Sequence, residues 1–416
     1  SAQLQSFKDQ VSFYNNRFAY SREQFIASTP NSELKVCLVV PAYNEDISGF
    51  LRGLNTIDCS LPNQLEIIIV LNHSVQEKNE IKERHEQQFQ EFHDTELKAG
   101  IKVHFIKAFD LKSKHAGVGL ARKIGMDEAV KRFESLNYPG LIVCLDADCK
   151  VKQNYFDSLL KAEREAWKGL ALSYEHPLED LPSDHLRSII NYEIFLRYYS
   201  LALHEINYPH YFQTVGSSMA CRSDLYCKIG GMNRRKAGED FYFLHKVFPH
   251  GSFCNWTETT VFPSPRKSDR VPFGTGKAML AEEQGLKDYS RLYHPSIYKE
   301  LKILFKDLAQ LYRGLEDFAS PMFSHFLKDQ KLFEELKKLA ARSKSCKSFE
   351  TNFYFWFDGF KLMKFLHFAQ TNYFQDIANI EACKELLDTK SLEIKALLME
   401  LRERERKANF PKFEKC

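Results

Sequence analysis

Short apolar runs recur along the first third of the chain, separated by stretches in which apolar and charged residues alternate at helical spacing. The apolar runs lie at residues 36–40, 67–71, 102–106 and 141–145. We predict strands there, because strands covered on both faces of a parallel sheet are apolar along most of their length. The intervening stretches at 47–56, 76–92 and 120–133 are predicted helices. This alternation indicates a Rossmann-like α/β fold, a mostly parallel sheet with helices on both faces.

The rest of the chain has a more mixed pattern. Residues 4–28 predict a helical lead-in. Further strands are predicted at 171–174 and 216–221, and further helices at 185–203 and 240–248. Residues 261–276 are rich in proline, glycine and basic side chains, which is typical of a loop. Beyond residue 277, leucines recur at three- and four-residue steps, as at Leu301, Leu304 and Leu308, and predict helices.

These patterns predict three parts of the chain. Residues 1–34 would form the lead-in, residues 35–277 the α/β domain, and residues 278–416 a C-terminal all-α appendage. Composition fits a globular protein, since 44% of the residues are hydrophobic and 27% charged. The 58 Lys and Arg side chains nearly balance the 55 Asp and Glu, so the formal net charge is only +3 and we expect no nucleic-acid partner.

Cysteines and apolar stretches bear on the compartment. The 10 cysteines include no Cys-x-x-Cys pair and several lie in apolar runs, so we expect free thiols and a cytoplasmic protein. Residues 1–30 are polar and mixed in charge, so we expect no signal peptide. Charged residues interrupt the apolar stretch 353–368, so we expect no transmembrane segment. Peripheral contact with a membrane stays open.

The clearest candidate for chemistry is Asp146-Ala147-Asp148, which directly follows the fourth predicted strand. Right-handed crossovers bring the carboxyl ends of parallel strands to one edge, where such folds bind ligands. Carboxylate oxygens suit Mg²⁺ or Mn²⁺, and these cations pair readily with phosphates. For an isolated pair of this kind, an Asp-rich turn or a helix cap is the alternative explanation.

Two further motifs adjoin predicted elements. Pro41-Ala42-Tyr43-Asn44-Glu45 ends the first strand; Tyr43 could stack on a nucleobase, and Asn44 and Glu45 could hydrogen-bond to the base or ribose. A simple strand-to-helix turn is the alternative. Gly238-Glu239-Asp240 opens a predicted helix, where the helix dipole alone favours acidic residues. Alternatively, one of these carboxylates is a general base.

The order of these motifs resembles family 2 glycosyltransferases of the GT-A fold. Pro-Ala-Tyr-Asn-Glu follows the first strand, Asp-Ala-Asp the fourth, and Gly230-Gly231 with Gly238-Glu239-Asp240 comes later, so the resemblance covers residues 35–277. It implies an inverting, hexosyltransferase-type enzyme that uses a nucleotide-diphosphate sugar and Mn²⁺ or Mg²⁺. Residues 35–150 would then be the nucleotide-binding half and residues 151–277 the acceptor-binding half.

Several roles follow from the resemblance alone. The nucleotide site would be lined by Pro41, Ala42, Tyr43 and Glu45. Asp146 would hold the ribose or a metal-bound water, and Asp148 would coordinate the metal. Asp240 would be the catalytic base, and Glu239 beside it would shape the acceptor site. The acceptor pocket would be walled by Gly216 and Ser217.

One position departs from the family pattern. The family usually has an Asp after the second strand that reads the base, whereas this chain has Asn72, which leaves the identity of the nucleotide open. Three basic residues are further candidates for the nucleotide sugar. Arg122 would face the diphosphate from a helix start, and Arg266 and Arg270 in the basic loop would close over the leaving group.

Two other functions are weighed against glycosyl transfer. A nucleotidyltransferase also places acidic metal ligands on such a sheet, but the expected Gly-rich phosphate loop with Arg and Lys does not follow the first strand. A non-catalytic binding or scaffold protein of the same fold would not need Asp146, Asp148 and Asp240. The acceptor stays open between a glycan, a lipid-linked molecule and a protein, and the C-terminal helices could form a homodimer.

Overall fold

A computed structural model describes residues 6–266, 287–314 and 320–408. The chain divides into two compact units. The first comprises residues 1–179, 214–280 and 409–416, and the second comprises residues 180–213 and 281–408. Every candidate site residue that the structure describes belongs to the first unit. The three-part division of the sequence stays a prediction.

The first unit is built on one sheet, which has nine strands in the described residues. The strands are β1 (Val36–Ala42), β2 (Leu65–Ser74), β3 (Thr95–Glu96), β4 (Lys102–Leu111), β5 (Leu141–Cys144), β6 (Lys150–Val151), β7 (Gly169–Tyr174), β8 (Met219–Arg222) and β9 (Phe253–Phe262). Their order is β3-β4-β2-β1-β5-β8-β7-β9-β6. Strands β4, β2, β1 and β5 are parallel neighbours, which confirms the predicted Rossmann-like class.

Helices cover both faces of this sheet. In the first unit they are α1 (Phe7–Arg17), α2 (Ile47–Leu54), α3 (Asn79–Phe92), α4 (Val118–Ser135), α5 (Tyr155–Arg164), α7 (Ser223–Lys228) and α8 (Glu239–Val247). Leu38 and Val40 of β1 belong to the apolar core that includes residues of α2 and α5. Val39, between them, points to the opposite face and lies against α4 at Gly125. Alternate residues of a strand face opposite sides, so this wholly apolar strand packs on both.

Two predicted strand boundaries differ from the structure. Pro41 does not end the first strand, which continues to Ala42. The backbone N–H of Leu145 donates to the carbonyl oxygen of Val39, so the backbone polar groups of Val39 point toward β5. Pro41 lies two residues further along β1 and points to the same side, where β5 has already ended at Cys144. The missing proline N–H therefore breaks no ladder bond. The predicted strand 216–221 begins only at Met219, after a 3₁₀ turn at Gly216–Ser218.

The segment before β1 is fixed to α4 by buried polar contacts. The predicted helix ends at Arg17, and the chain beyond it is irregular. The Asp127 carboxylate accepts hydrogen bonds from the Tyr14 hydroxyl at 2.5 Å and from the Tyr20 N–H at 2.8 Å. Glu128 accepts from the backbone N–H of Ile26 at 3.0 Å. The segment thus supplies hydrogen-bond donors to two carboxylates that are buried on α4.

The second unit is helical apart from a two-stranded pairing of β10 (Arg291–Leu292) with β11 (Ile377–Ala378). Its helices in the described residues are α6 (Ser183–Glu205), α9 (Pro295–Lys306), α10 (Leu308–Arg313), α11 (Pro321–Asp329), α12 (Phe333–Arg342), α13 (Cys346–Trp356), α14 (Gly359–Asn372), α15 (Asn379–Leu387) and α16 (Ile394–Lys407). Buried Glu193 of α6 accepts two hydrogen bonds from Arg402 of α16, at 2.6 and 3.0 Å. Over the described residues, we find no helix with the length and apolar character needed to cross a bilayer.

Candidate active site

The strand ends bring the sequence motifs to one edge of the sheet. Strands β1, β2 and β5 run parallel, so Tyr43, Asn72 and Asp146 all lie at or just beyond their carboxyl ends. Strand β8 is antiparallel to β5, with Met219 opposite Cys144. The turn at Gly216–Ser218, just before β8, therefore lies beside the residues that follow β5. Pairing of strands thus places Gly216 next to the Asp146-Ala147-Asp148 segment.

Arg122, the fifth residue of α4, connects two of the acidic motifs. Its Nη2 lies 2.8 Å from Oδ1 of Asp146, and its Nε lies 3.2 Å from Oε1 of Glu239. The guanidinium is buried, with a side-chain exposure of 3%, whereas that of Asp146 is 37%. The carboxylates of Asp146 and Glu239 raise the pKa of Arg122 against the opposing effect of burial, so it stays charged. Its Nη1 is buried and has no hydrogen-bond partner in the described residues.

Asp240 lies in the same cluster and is held by backbone N–H groups. Its Oδ2 accepts from Gly216 at 3.0 Å, and its Oδ1 accepts from Phe241 at 2.7 Å. Position 216 requires glycine, because a Cβ there would lie 2.7 Å from Nη2 of Arg122. The motif after β5 and the motif that opens α8 are thus brought together around Arg122 and Gly216.

The two acidic residues of α8 titrate differently from free carboxylates. Burial, together with the neighbouring Glu239 carboxylate, raises the pKa of Asp240 to about 8, although Arg122 and two backbone N–H groups act in the opposite direction. Burial also raises the pKa of Glu239, which Arg122 counteracts. A carboxyl group with a pKa near neutrality can accept and release a proton during a reaction.

Asp148 forms a second cluster with Arg266 and Glu45. The β6–β9 pairing sets Lys150 opposite Phe262, and the chain beyond β9 then passes alongside the residues before β6. Nη2 of Arg266 lies 3.1 Å from Oδ2 of Asp148 and 2.6 Å from Oε1 of Glu45. Burial and the Asp146 carboxylate raise the pKa of Asp148 to about 6, and Arg266 limits that rise.

The carboxylates fit a divalent cation that takes its remaining ligands from elsewhere. The described residues contain no group of three or more His, Cys, Asp or Glu side chains placed to hold a metal. Mg²⁺ is commonly bound through one or two carboxylates together with substrate phosphates and water. Burial is the main cause of the raised pKa of Asp148, and a cation bound beside it would favour its charged form. Asp146 and Asp148 are therefore the pair that could hold Mg²⁺ or Mn²⁺.

The loop after β1 is supported by two buried histidines. The N–H of Asn44, which has a left-handed φ of 50°, donates to Nε2 of His85 at 3.0 Å. Nδ1 of His85 must then carry the proton, and it lies 2.8 Å from Nδ1 of His73. Burial lowers the pKa of His85 to about 4, so the ring is neutral at pH 7 as this arrangement requires. The Tyr43 hydroxyl donates to Glu77 at 2.8 Å.

Asn72 is buried and uses its amide nitrogen within the fold. Nδ2 lies 3.1 Å from the carbonyl oxygen of Ala42 and 3.3 Å from that of Val70. Its N–H donors are thereby directed to the ends of β1 and β2, and no hydrogen bond to Oδ1 occurs among the described residues. A ligand at this position would meet the amide oxygen, which is an acceptor.

The other predicted site residues have the following places. Pro41 and Ala42 are buried at the end of β1. Ser217 is buried. Arg270 lies outside the described residues. The structure thus groups Asp146, Arg122, Glu239, Asp240 and Gly216 in one cluster and Glu45, Asp148 and Arg266 in another. Their predicted roles stay predictions.

Sequence reasoning missed the histidine pair and the Tyr43–Glu77 contact. His85 lies within the charged helix α3 and gives no sign in the sequence that it is fully buried. His73 directly follows Asn72 in β2, which placed it near the ligand edge, but nothing indicated a histidine partner. Such contacts depend on how α3 packs on the sheet.

Comparisons with known proteins add little to this geometry. No family model matches the chain. No curated protein matches it in sequence. Among solved structures, S. aureus TarS 1-349 in complex with UDP-GlcNAc is 14% identical, with a TM-score of 0.37, over 78% of this chain and 91% of that one. The mannosyltransferase PcManGT from Pyrobaculum calidifontis, in complex with GDP-Man and Mn²⁺, is 13% identical with a TM-score of 0.36, over 95% and 85%.

Proposed function

We propose that this protein is an inverting glycosyltransferase of the family 2 type. It would move a hexosyl group from a nucleotide-diphosphate sugar to an acceptor hydroxyl. The observation that carries the proposal is the position of Arg122, which contacts Asp146 after β5 and Glu239 at the start of α8. Arg122 thereby holds Asp146, which is proposed for donor binding, close to Glu239 and Asp240, which are proposed for catalysis.

The nucleotide would bind at the ends of β1 and β2. Tyr43 offers a ring for stacking on the base, and Pro41, Ala42 and Glu45 would line the same site. Because the amide nitrogen of Asn72 is engaged by backbone carbonyls, its oxygen would accept from an N–H of the base. One carboxylate oxygen of Asp146 contacts Arg122, and the exposed part of the Asp146 side chain would contact the ribose or a metal-bound water.

Asp148 and Asp146 would hold Mn²⁺ or Mg²⁺. When bound, such a cation stabilises negative charge on the nucleotide diphosphate as it departs. The Arg266 guanidinium contacts Glu45 and Asp148, and it would therefore contribute positive charge beside the same diphosphate. Nη1 of Arg122, which is buried without a hydrogen-bond partner in the described part of the chain, would provide a further donor for an oxygen of the substrate.

Asp240 would be the general base. Its carboxylate would take the proton of the acceptor hydroxyl while that oxygen forms a bond to the anomeric carbon and the bond to the diphosphate breaks. A single displacement from the opposite face inverts the anomeric configuration. Backbone bonds from Gly216 and Phe241 fix the carboxylate, and its pKa of about 8 makes it a stronger base than a free Asp.

The remaining assignments are also proposals. Glu239, Gly216 and Ser217 would border the acceptor, residues 35–150 would bind the nucleotide and residues 151–277 the acceptor. The C-terminal helices would serve the acceptor or a second copy of the chain.

A donor screen tests the proposed function. Thermal unfolding would be followed with a panel of nucleotide sugars, each with and without Mn²⁺. We expect one nucleotide sugar to raise the melting temperature, and the effect to require the metal. The product formed with a hydroxyl acceptor should have the inverted anomeric configuration by NMR. Given a nucleoside triphosphate and a sugar 1-phosphate, a nucleotidyltransferase would instead release pyrophosphate, and a binding protein would form no product.

A further inference from the structure

Two loops beside Glu239 and Asp240 contain several basic residues and no acidic residue. Residues 112–117 connect β4 to α4 and include exposed Lys112 and Lys114. Residues 232–238 precede α8 and include exposed Arg234, Arg235 and Lys236. Neither segment contains Asp or Glu. We call the five cations the basic rim.

The two loops are fastened to each other. Nζ of Lys236 donates to the carbonyl oxygen of Ser113 at 2.6 Å. Gly119, in the first turn of α4, lets the backbone of Arg235 approach so closely that a Cβ would lie 2.2 Å from its carbonyl oxygen. The basic rim is therefore one surface, although its two halves lie more than a hundred residues apart in the sequence.

None of the five cations is neutralised by a carboxylate of the described chain. The ion pairs of the described residues include Lys82 with Asp110 and Lys107 with Glu86, but none involving the basic rim. Instead, the Arg235 guanidinium lies 3.3 Å from the centre of the Tyr242 ring, and that of Arg234 lies 5.6 Å from the centre of the Tyr20 ring. Exposed like charges without counterions create a positive local potential in a chain whose formal net charge is only +3.

The position of the basic rim separates it from the proposed donor phosphates. Gly119, which touches Arg235, is in the same turn of α4 as Arg122, which contacts Glu239. Arg235 precedes Glu239 by four residues along the chain. The basic rim therefore borders the acidic pair of α8, whereas Arg266 lies at Asp148.

We propose that the basic rim binds phosphate groups of the acceptor, so that the acceptor is a phosphate-bearing chain rather than a neutral glycan. This inference rests on the proposed glycosyl transfer, since only that function makes the α8 side the acceptor side. Phosphate oxygens would meet Lys and Arg side chains in place of water, and the attraction would weaken with salt. The acceptor hydroxyl would be carried toward Asp240.

The test uses the whole chain and a labelled synthetic poly(glycerol phosphate) as the probe, with a neutral dextran of similar length beside it. One variant, Lys114→Gln with Arg234→Gln, removes one cation from each loop and no hydrogen bond that holds the loops. The control, Lys98→Gln with Lys102→Gln, removes the same charge at the start of β4, at the opposite edge of the sheet. Probe affinity is measured by fluorescence anisotropy at several salt concentrations, and nucleotide-sugar affinity by calorimetry.

We expect the first variant to bind the phosphate probe about tenfold more weakly, with a shallower salt dependence, while its nucleotide-sugar affinity is unchanged. The control should bind as the unsubstituted chain does, and dextran should bind to none of them more tightly than the phosphate probe. An equal loss of nucleotide-sugar affinity would assign the basic rim to the donor diphosphate and overturn the proposal. So would unchanged probe binding, or an equal loss in the control. Failure of glycosyl transfer itself would appear separately, as no nucleotide-sugar binding by the unsubstituted chain.

Discussion

The backbone N–H of Gly216 donates to Oδ2 of Asp240 across 3.0 Å and joins the turn before β8 to the first turn of α8. This bond fixes the carboxylate beside Arg122, because Gly216 has no Cβ to keep the guanidinium away. The proposed base thus owes its place to a residue 24 positions earlier in the chain. The charges that set the pKa of Asp240 and the position of its carboxylate can be tested separately.

Replacement of Asp240 by Asn should stop transfer while sparing donor binding. The amide keeps an oxygen for the Gly216 N–H but cannot take a proton from a hydroxyl. We expect kcat to fall by roughly 10²–10⁴-fold, which is the usual contribution of a general base. Nucleotide-sugar affinity and melting temperature should change little. Transfer at the unsubstituted rate would remove Asp240 from its proposed role.

The pH dependence of transfer should follow the raised pKa of Asp240. The base is active only when deprotonated, so kcat/KM should rise with pH and level off above about 8. At pH 6 the rate should therefore be roughly a hundredfold below the plateau. A profile that is already flat between pH 5 and 8 would mean that an ordinary carboxylate, or another group, acts as the base.

Arg122→Gln should move that profile to higher pH. The charge of Arg122 lowers the pKa of Asp240, so its removal lets burial and Glu239 raise that pKa further. A purely structural role would lower the rate without moving the profile. Lys131→Gln is the matched control, because Lys131 lies on the same helix but pairs with Glu128, away from the site. The control profile should coincide with that of the unsubstituted chain.

Arg266→Ala should separate metal binding from transfer. Removing its guanidinium leaves Glu45 and Asp148 without their shared cation, so Mn²⁺ should bind more tightly when no nucleotide is present. Transfer should nevertheless slow, because positive charge at the leaving diphosphate is lost. Arg52→Ala, a change at an exposed residue of α2, should alter neither quantity. Weaker Mn²⁺ binding by Arg266→Ala would contradict this assignment.

Gly119→Ala should destabilise the first unit. The added Cβ would lie 2.2 Å from the carbonyl oxygen of Arg235, so the backbone must shift, at a cost of about 1–3 kcal/mol in the free energy of unfolding. Gly53→Ala in α2 is the control, since nothing lies within 4 Å of its Cβ position and alanine favours helix. Denaturant unfolding of both variants checks this, and equal stability would show that the loops do not touch.

The sequence predicts the parallel part of the sheet because burial on both faces leaves a plain signal. Val36–Ala42 is apolar throughout and Leu65–Ser74 is apolar from Ile67 to Leu71, and the structure pairs them as parallel strands. Strand β9 was not predicted, since Phe253–Phe262 mixes buried and exposed positions and reads as a polar segment. Strand β6 has only two residues, too few for any pattern.

Side-chain contacts were less predictable than strands. The role of Arg122 at the diphosphate stays a prediction, and its contacts with Asp146 and Glu239, the latter 117 residues away, were not predicted. The contact of Arg266 with Asp148 depends on the β6–β9 pairing, and no local sequence pattern predicts that pairing. The sequence therefore identified the motifs, whereas their partners are set by the tertiary fold.

Calorimetric titration of the donor into two variants tests the whole account most directly. Asp148→Ala should no longer bind the nucleotide sugar in the presence of Mn²⁺, because the metal loses its proposed ligand. Asp240→Asn should bind it as tightly as the unsubstituted chain does, since its carboxylate acts on the acceptor. Undiminished, metal-dependent binding by Asp148→Ala would show that the donor is held elsewhere, and the proposed site would have to be abandoned.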